Sequence, residues 1–155
     1  MSNTSISYVA MHKEFVGTTT LLSMEQLQTL TAWWAPWLGL TDWTFDIRLE
    51  RGVDMRCYTT SGSSRWIGEK RRASIALVDP NDYNHDAWDP YDMEQVLVHE
   101  MLHVSLGGID DTVRSKESPG LLNREIEQFI DRLATSLTTM GRHHPKHPLR
   151  RRKKS

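Results

Sequence analysis

Cysteine occurs once in the 155 residues, at Cys57. One thiol cannot close an internal disulfide, and it excludes a zinc site built on several cysteines. Long apolar runs are missing too. None approaches the ~20 residues that a membrane helix needs. Met1 to Gly17 lacks the basic start and apolar stretch of a secretory signal. Together these absences predict a chain that works in a reducing cytoplasm without membrane contact.

Acidic residues are absent from Gly141 onward. The nineteen Lys and Arg divide into seven after that point and twelve before it, while all twenty Asp and Glu come before it. Residues 1–140 therefore carry −8 and the remainder +7, a split that the net charge of −1 conceals. With 25% charged and 38% hydrophobic residues, the composition is that of a folded protein rather than a disordered one. The length suits one domain with its own core.

What is present centres on nine residues, Val96-Leu97-Val98-His99-Glu100-Met101-Leu102-His103-Val104. They contain H-E-x-x-H. On a helix, i and i+4 stack on one face, so His99 and His103 can offer two imidazole nitrogens to one Zn²⁺. Glu100 points about 100° away from His99, within reach of a water beside the metal but badly placed to ligate it. A lone histidine on an apolar helix is most often a packed core residue. Here the other six residues are Val, Leu or Met, and a helix apolar on nearly all sides is buried. Burying two His and a Glu without partners is costly, and a metal with water satisfies all three.

Other elements follow from local signals. Ser23 and Gln26 form a capping box that opens a helix through Leu27, Leu30, Trp34 and Leu38, with Pro36 late in it. At helical spacing, Trp33, Trp34 and Trp37 read as packing residues. Trp43 to Glu50 alternates with period two, as a half-buried strand does. Met55 to Thr60 gives a second, weaker strand, Ser61-Gly62-Ser63-Ser64 a turn, and Ala73 to Val78 a third strand ending at Asp79-Pro80. Residues 81–90 form a loop containing Trp88. Asp89 or Tyr91 precedes the metal helix, and Gly107-Gly108 ends it. Ser118-Pro119 opens the last helix, whose apolar face runs Leu122, Ile126, Phe129, Ile130, Leu133 and Leu137, and Gly141 ends it. Residues 1–22 stay unassigned, 23–140 form the domain, and 141–155, with His143, His144 and His147, read as a disordered basic tail.

A catalytic zinc takes a third protein ligand. A pattern H-E-x-x-H-x-x-G-x-x-H/D fails here, because 106 is Leu and 109 is Ile, and Asp110 and Asp111 come one and two places late. The last helix offers Glu125 and Glu127, about 200° apart. Periodicity does not choose between them.

The segment Val96–Val104, followed by Glu-Gln-Phe-Ile-Asp-Arg-Leu-Ala at 127–134, resembles small phage and prophage metallopeptidases of the zincin type. These are similar in plan to SprT-like and ImmA-type domains. The resemblance covers about residues 22–139. It implies an α+β, zincin-like fold, in which a small mixed or antiparallel sheet of about three strands packs against the first helix, the metal helix and the C-terminal helix. It also implies Glu127 as third ligand, with Glu125 in reserve, and a bacterial or phage-infected host cell.

The reaction expected is hydrolysis of a peptide bond in a protein or peptide substrate. Zinc activates a water, and Glu100 is the general base. The adjacent loop offers Tyr83, His85 and Tyr91 as second oxyanion donors. The strand Ala73–Val78 resembles the edge on which substrates of such enzymes pair. The alternative is a non-hydrolytic zinc-binding or nucleic-acid-associated phage protein with a vestigial peptidase fold. Intact Glu100 argues against a vestigial site, while the basic tail is suited to phosphate contacts that weaken with salt.

Overall fold

In a computed structural model, the residues described are 19–55, 61–84, 90–109 and 119–150. Cys57, His85, Trp88, Asp89, Asp110 and Asp111 lie outside them, as do residues 56–60 of the expected second strand.

Helix α1 (Met24–Trp37) starts at the expected capping box. Ser23 Oγ accepts from Gln26 N at 3.2 Å, and Gln26 Oε1 accepts from Ser23 N at 2.8 Å. Its inner side buries Leu27, Leu30 and Trp34. Trp33 sits at the edge of the core, and Trp37 is exposed. Strands β1 (Thr44–Glu50), β2 (Gly62–Ile67) and β3 (Arg72–Val78) form one sheet in the order β1-β3-β2. β1 runs parallel to β3 and β2 antiparallel to it, so the sheet is mixed. Ile47 and Ser64 both lie opposite Ile75, which fixes the register.

Two expectations are corrected here. Among the described residues the second strand is Gly62–Ile67, the first half of which reads from sequence as a turn. Among the described residues strand β3 is central, so the sheet edge next to the helix that carries H-E-x-x-H is β2.

Helix α2 (Met93–Ser105) carries the H-E-x-x-H residues and packs across β2 and β3. Its N-cap is Asp92, whose side chain accepts from Gln95 N at 3.1 Å. The helix stops at Ser105, before Gly107. That glycine serves contact instead, because a Cβ there would fall 2.7 Å from Trp66 Nε1. Leu97, Val98 and Met101 are fully buried.

Helix α3 (Pro119–His143) lies on α2. Ile130 and Ala134 are buried in the seam, whereas Phe129, expected on the apolar face, is exposed. No helix among the described residues is long and apolar enough to cross a membrane.

The chain after Gly141 also departs from expectation. α3 continues through Gly141 to His143, and the segment to 150 folds back on the domain. Gly141 is there for closeness rather than for ending the helix. A Cβ on it would sit 2.5 Å from Trp34 Cη2. Arg142 Nη1 and Nη2 donate to both oxygens of Asp92 at 2.8 and 2.6 Å, and Nε donates to Glu94 Oε2 at 2.7 Å. Buried His147 donates through Nε2 to Glu94 Oε1 at 2.8 Å, and Trp34 Nε1 donates to the same oxygen at 3.1 Å. Residues 141–150 thus belong to the domain, because the buried Glu94 is satisfied by donors that this segment supplies.

Candidate metal centre

One turn of α2 brings His99 and His103 together, with their Nε2 atoms 3.1 Å apart. From α3, Glu127 Oε2 approaches each of those nitrogens to 3.4 Å. Zinc bonds of about 2.0–2.1 Å place neighbouring tetrahedral ligand atoms about 3.3 Å apart. The three donors already have that spacing, so the residues present fit the ion. Glu125 is exposed on α3 and is not in this group.

Asp131 is a residue that sequence reading missed. Its Oδ1 accepts from His99 Nδ1 at 2.8 Å. That bond holds a proton on Nδ1, so that the proton a metal displaces is the one on Nε2, as with carboxylates behind metal-bound imidazoles. A signal was available, since Asp131 stands four places after Glu127 and therefore on the same face of α3.

Glu100 is buried, with 6% exposure, between α2 and the sheet edge. Ser64 Oγ on β2 donates to its Oε2 at 2.7 Å. Gly62 explains how β2 comes this close. A Cβ there would sit 2.6 Å from Val96 Cγ1 and 3.0 Å from Glu100 Cγ. Desolvation raises the pKa of Glu100 above the usual carboxylate value, against the opposing pull of His99 and Ser64.

The cluster attracts positive charge. Burial would lower the pKa of His99, but hydrogen bonds to Asp131 and Glu127, with the charge of Glu100, lift it to about 10. His103 also moves up: burial opposes, and Glu127 and Glu100 prevail. Glu127 is held well below the usual range, first by His103 and then by His99. A proton here does in part what a cation would do.

Of the expected second oxyanion donors, His85 lies outside the described residues. The buried Tyr91 hydroxyl is committed to Val78 O at 2.7 Å, and Tyr83 stacks on the Tyr91 ring. A hollow of about 360 Å³ between α1 and β1, walled by Ala32, Pro36, Trp43 and Phe45, has no titratable side chain and is separate from this cluster.

No protein-family model, curated protein or solved structure matches the chain. The functional reading therefore rests on these side chains and their geometry.

Proposed function

We propose that this chain is a zinc-dependent metallopeptidase, with His99, His103 and Glu127 holding the ion and Glu100 as general base. The observation that carries this reading is the spacing of the two Nε2 atoms and Glu127 Oε2, at 3.1 to 3.4 Å, with the carboxylate of Glu100 buried beside them. When bound, the ion supplies Lewis acidity, which lowers the pKa of water and polarises a substrate carbonyl.

The protein's own groups do the rest. Asp131 holds the proton of His99 at Nδ1 and fixes the imidazole plane. Glu100 takes a proton from the attacking water and returns it to the leaving amine. Its raised pKa brings it nearer the operating pH, which suits a group that must both accept and release a proton. Ser64 holds one carboxylate oxygen and leaves the other for that exchange.

The substrate class is an extended peptide. Strand β2 pairs with β3 on one side, and among the described residues no strand pairs with its other edge. A peptide added there gains main-chain hydrogen bonds regardless of its side chains. The peptide would lie beside Ser64 and Glu100. This revises the expected docking strand from Ala73–Val78 to Gly62–Ile67.

The test is metal content by mass spectrometry, paired with cleavage of a fluorescently labelled unfolded protein. Wild type is expected to hold one zinc and to lose activity with a chelator. Glu100→Gln is expected to keep the zinc and lose about 10²–10⁴ in turnover. A wild type without zinc after zinc addition defeats the proposal. Bound zinc with no cleavage of any peptide would reduce it to a metal-binding protein.

A further inference from the structure

Helices α2 and α3 run antiparallel and are joined by polar contacts along their whole seam. At one end, Glu127 meets His99 and His103, and Asp131 meets His99. One turn further, Gln95 Nε2 donates to Thr135 Oγ1 at 3.0 Å. At the far end, Arg142 grips Asp92 and Glu94.

Apolar packing seats α3 on the domain through Ile130 and the partly buried Ile126, Leu133 and Leu137. Beyond Ile130, the buried side of α3 presents Ala134, Thr138 and Gly141. These small residues let α3 approach closely, as Gly141 does against Trp34. A slip by one residue moves a helix by about 1.5 Å and turns its side chains by about 100°. Metal–ligand distances tolerate about 0.2 Å. Holding Glu127 within that tolerance calls for a directional contact in addition to packing.

Arg142 is suited to that task. Its fork is two-pronged on Asp92, the residue that caps the metal helix, and its Nε reaches Glu94, five residues before the first histidine. Glu94 is held from behind by His147 and Trp34. A planar, bidentate contact fixes direction as well as distance.

We infer that Arg142, backed by His147, is a positioning residue of the metal centre: it sets the register of α3 on α2, so that Glu127 and Asp131 reach the two histidines. This rests on the reading of the cluster as a metal site.

The experiment uses the full chain. Arg142→Met combined with Glu94→Gln removes the grip without leaving Glu94 as an unpaired buried charge. Arg142→Lys keeps the positive charge and removes the planar two-pronged grip. Zinc affinity is measured by competition with a chromophoric chelator, well below each melting temperature. Cobalt replaces zinc for the visible spectrum. The double variant is expected to bind zinc at least tenfold more weakly, with a cobalt spectrum shifted toward that of Glu127→Ala. Arg142→Lys is expected to bind at least threefold more weakly, and it decides alone if the double variant does not fold. A lower melting temperature with wild-type affinity and spectrum in both variants overturns the inference and leaves Arg142 a stability residue. A wild type that takes up neither zinc nor cobalt overturns the metal reading and this inference with it.

Discussion

Ser64 on the edge strand donates its hydroxyl to Glu100 Oε2 on α2 across 2.7 Å, and so couples the proposed peptide-docking edge to the proposed general base. That bond favours the ionised carboxylate, whereas burial favours the neutral one. Ser64→Ala removes the first influence and keeps the second, so the pKa of Glu100 rises. A base with a higher pKa stays protonated to higher pH. The acidic limb of the pH–rate profile is therefore expected to shift upward, with turnover near neutrality down by roughly tenfold. Zinc content stays at the wild-type level. An unmoved acidic limb would show that Ser64 does not act on the base.

A second prediction concerns the metal-free protein. Folding raises the pKa of His99 from the ordinary ~6.5 to about 10. A raised pKa adds stability that is whole below the unfolded value and is lost as pH climbs through the folded one. With a chelator present, melting temperature is thus expected to fall from pH 6.5 towards 10. Zinc displaces that proton, so its affinity rises over the same window, by up to about tenfold per pH unit for each proton released. The gap between zinc-loaded and chelated melting temperatures should widen with pH. Calorimetry at pH 6.5, 7.5 and 8.5 checks this, and a gap that stays flat or narrows counts against His99 as a ligand.

How much was legible in the sequence depends on how local each signal is. The helix that carries H-E-x-x-H and the Ser23–Gln26 cap are set by residues three or four apart, and both are found where local signals place them. Strand β2 was not legible. Gly62, Ser63 and Ser64 are turn formers by propensity, and they are held in a strand by β3 on one side and by Val96 and Glu100 against Gly62. The order of the segment after Gly141 has the same kind of cause. Gly141, Pro145 and Pro148 read as breakers, yet the partners of Arg142 and His147 lie some fifty residues earlier, at Asp92 and Glu94. Nothing near them in the chain announces that pairing.

Truncation measures that long-range link. Removing residues 142–155 strips Glu94 of two donors and Asp92 of its arginine, while both carboxylates stay buried. Breaking one side of a buried charge pair costs about 3–5 kcal/mol. For a domain of this size, melting temperature is expected to drop by roughly 10 °C or more. A truncated chain that melts with the full-length protein would mean that the segment stands free of the domain.

The last prediction separates the acids of α3. Glu127 Oε2 completes a triangle with both histidine nitrogens, Asp131 stands behind His99, and Glu125 is exposed elsewhere on the helix. Glu127→Ala removes a donor and leaves only two protein ligands, so zinc affinity should fall by a hundredfold or more, on the order of 3 kcal/mol. Asp131→Asn keeps the shape but weakens the hold on the Nδ1 proton, and losing such a partner typically costs 10–100-fold in affinity. Glu125→Ala is expected to bind as wild type does. A chelator titration of the three variants ranks them, and the order itself is the test. If Glu125→Ala were the weakest binder, α3 would have to sit rotated by about 200° on α2, and the positions of both Glu127 and Asp131 against His99 would be wrong.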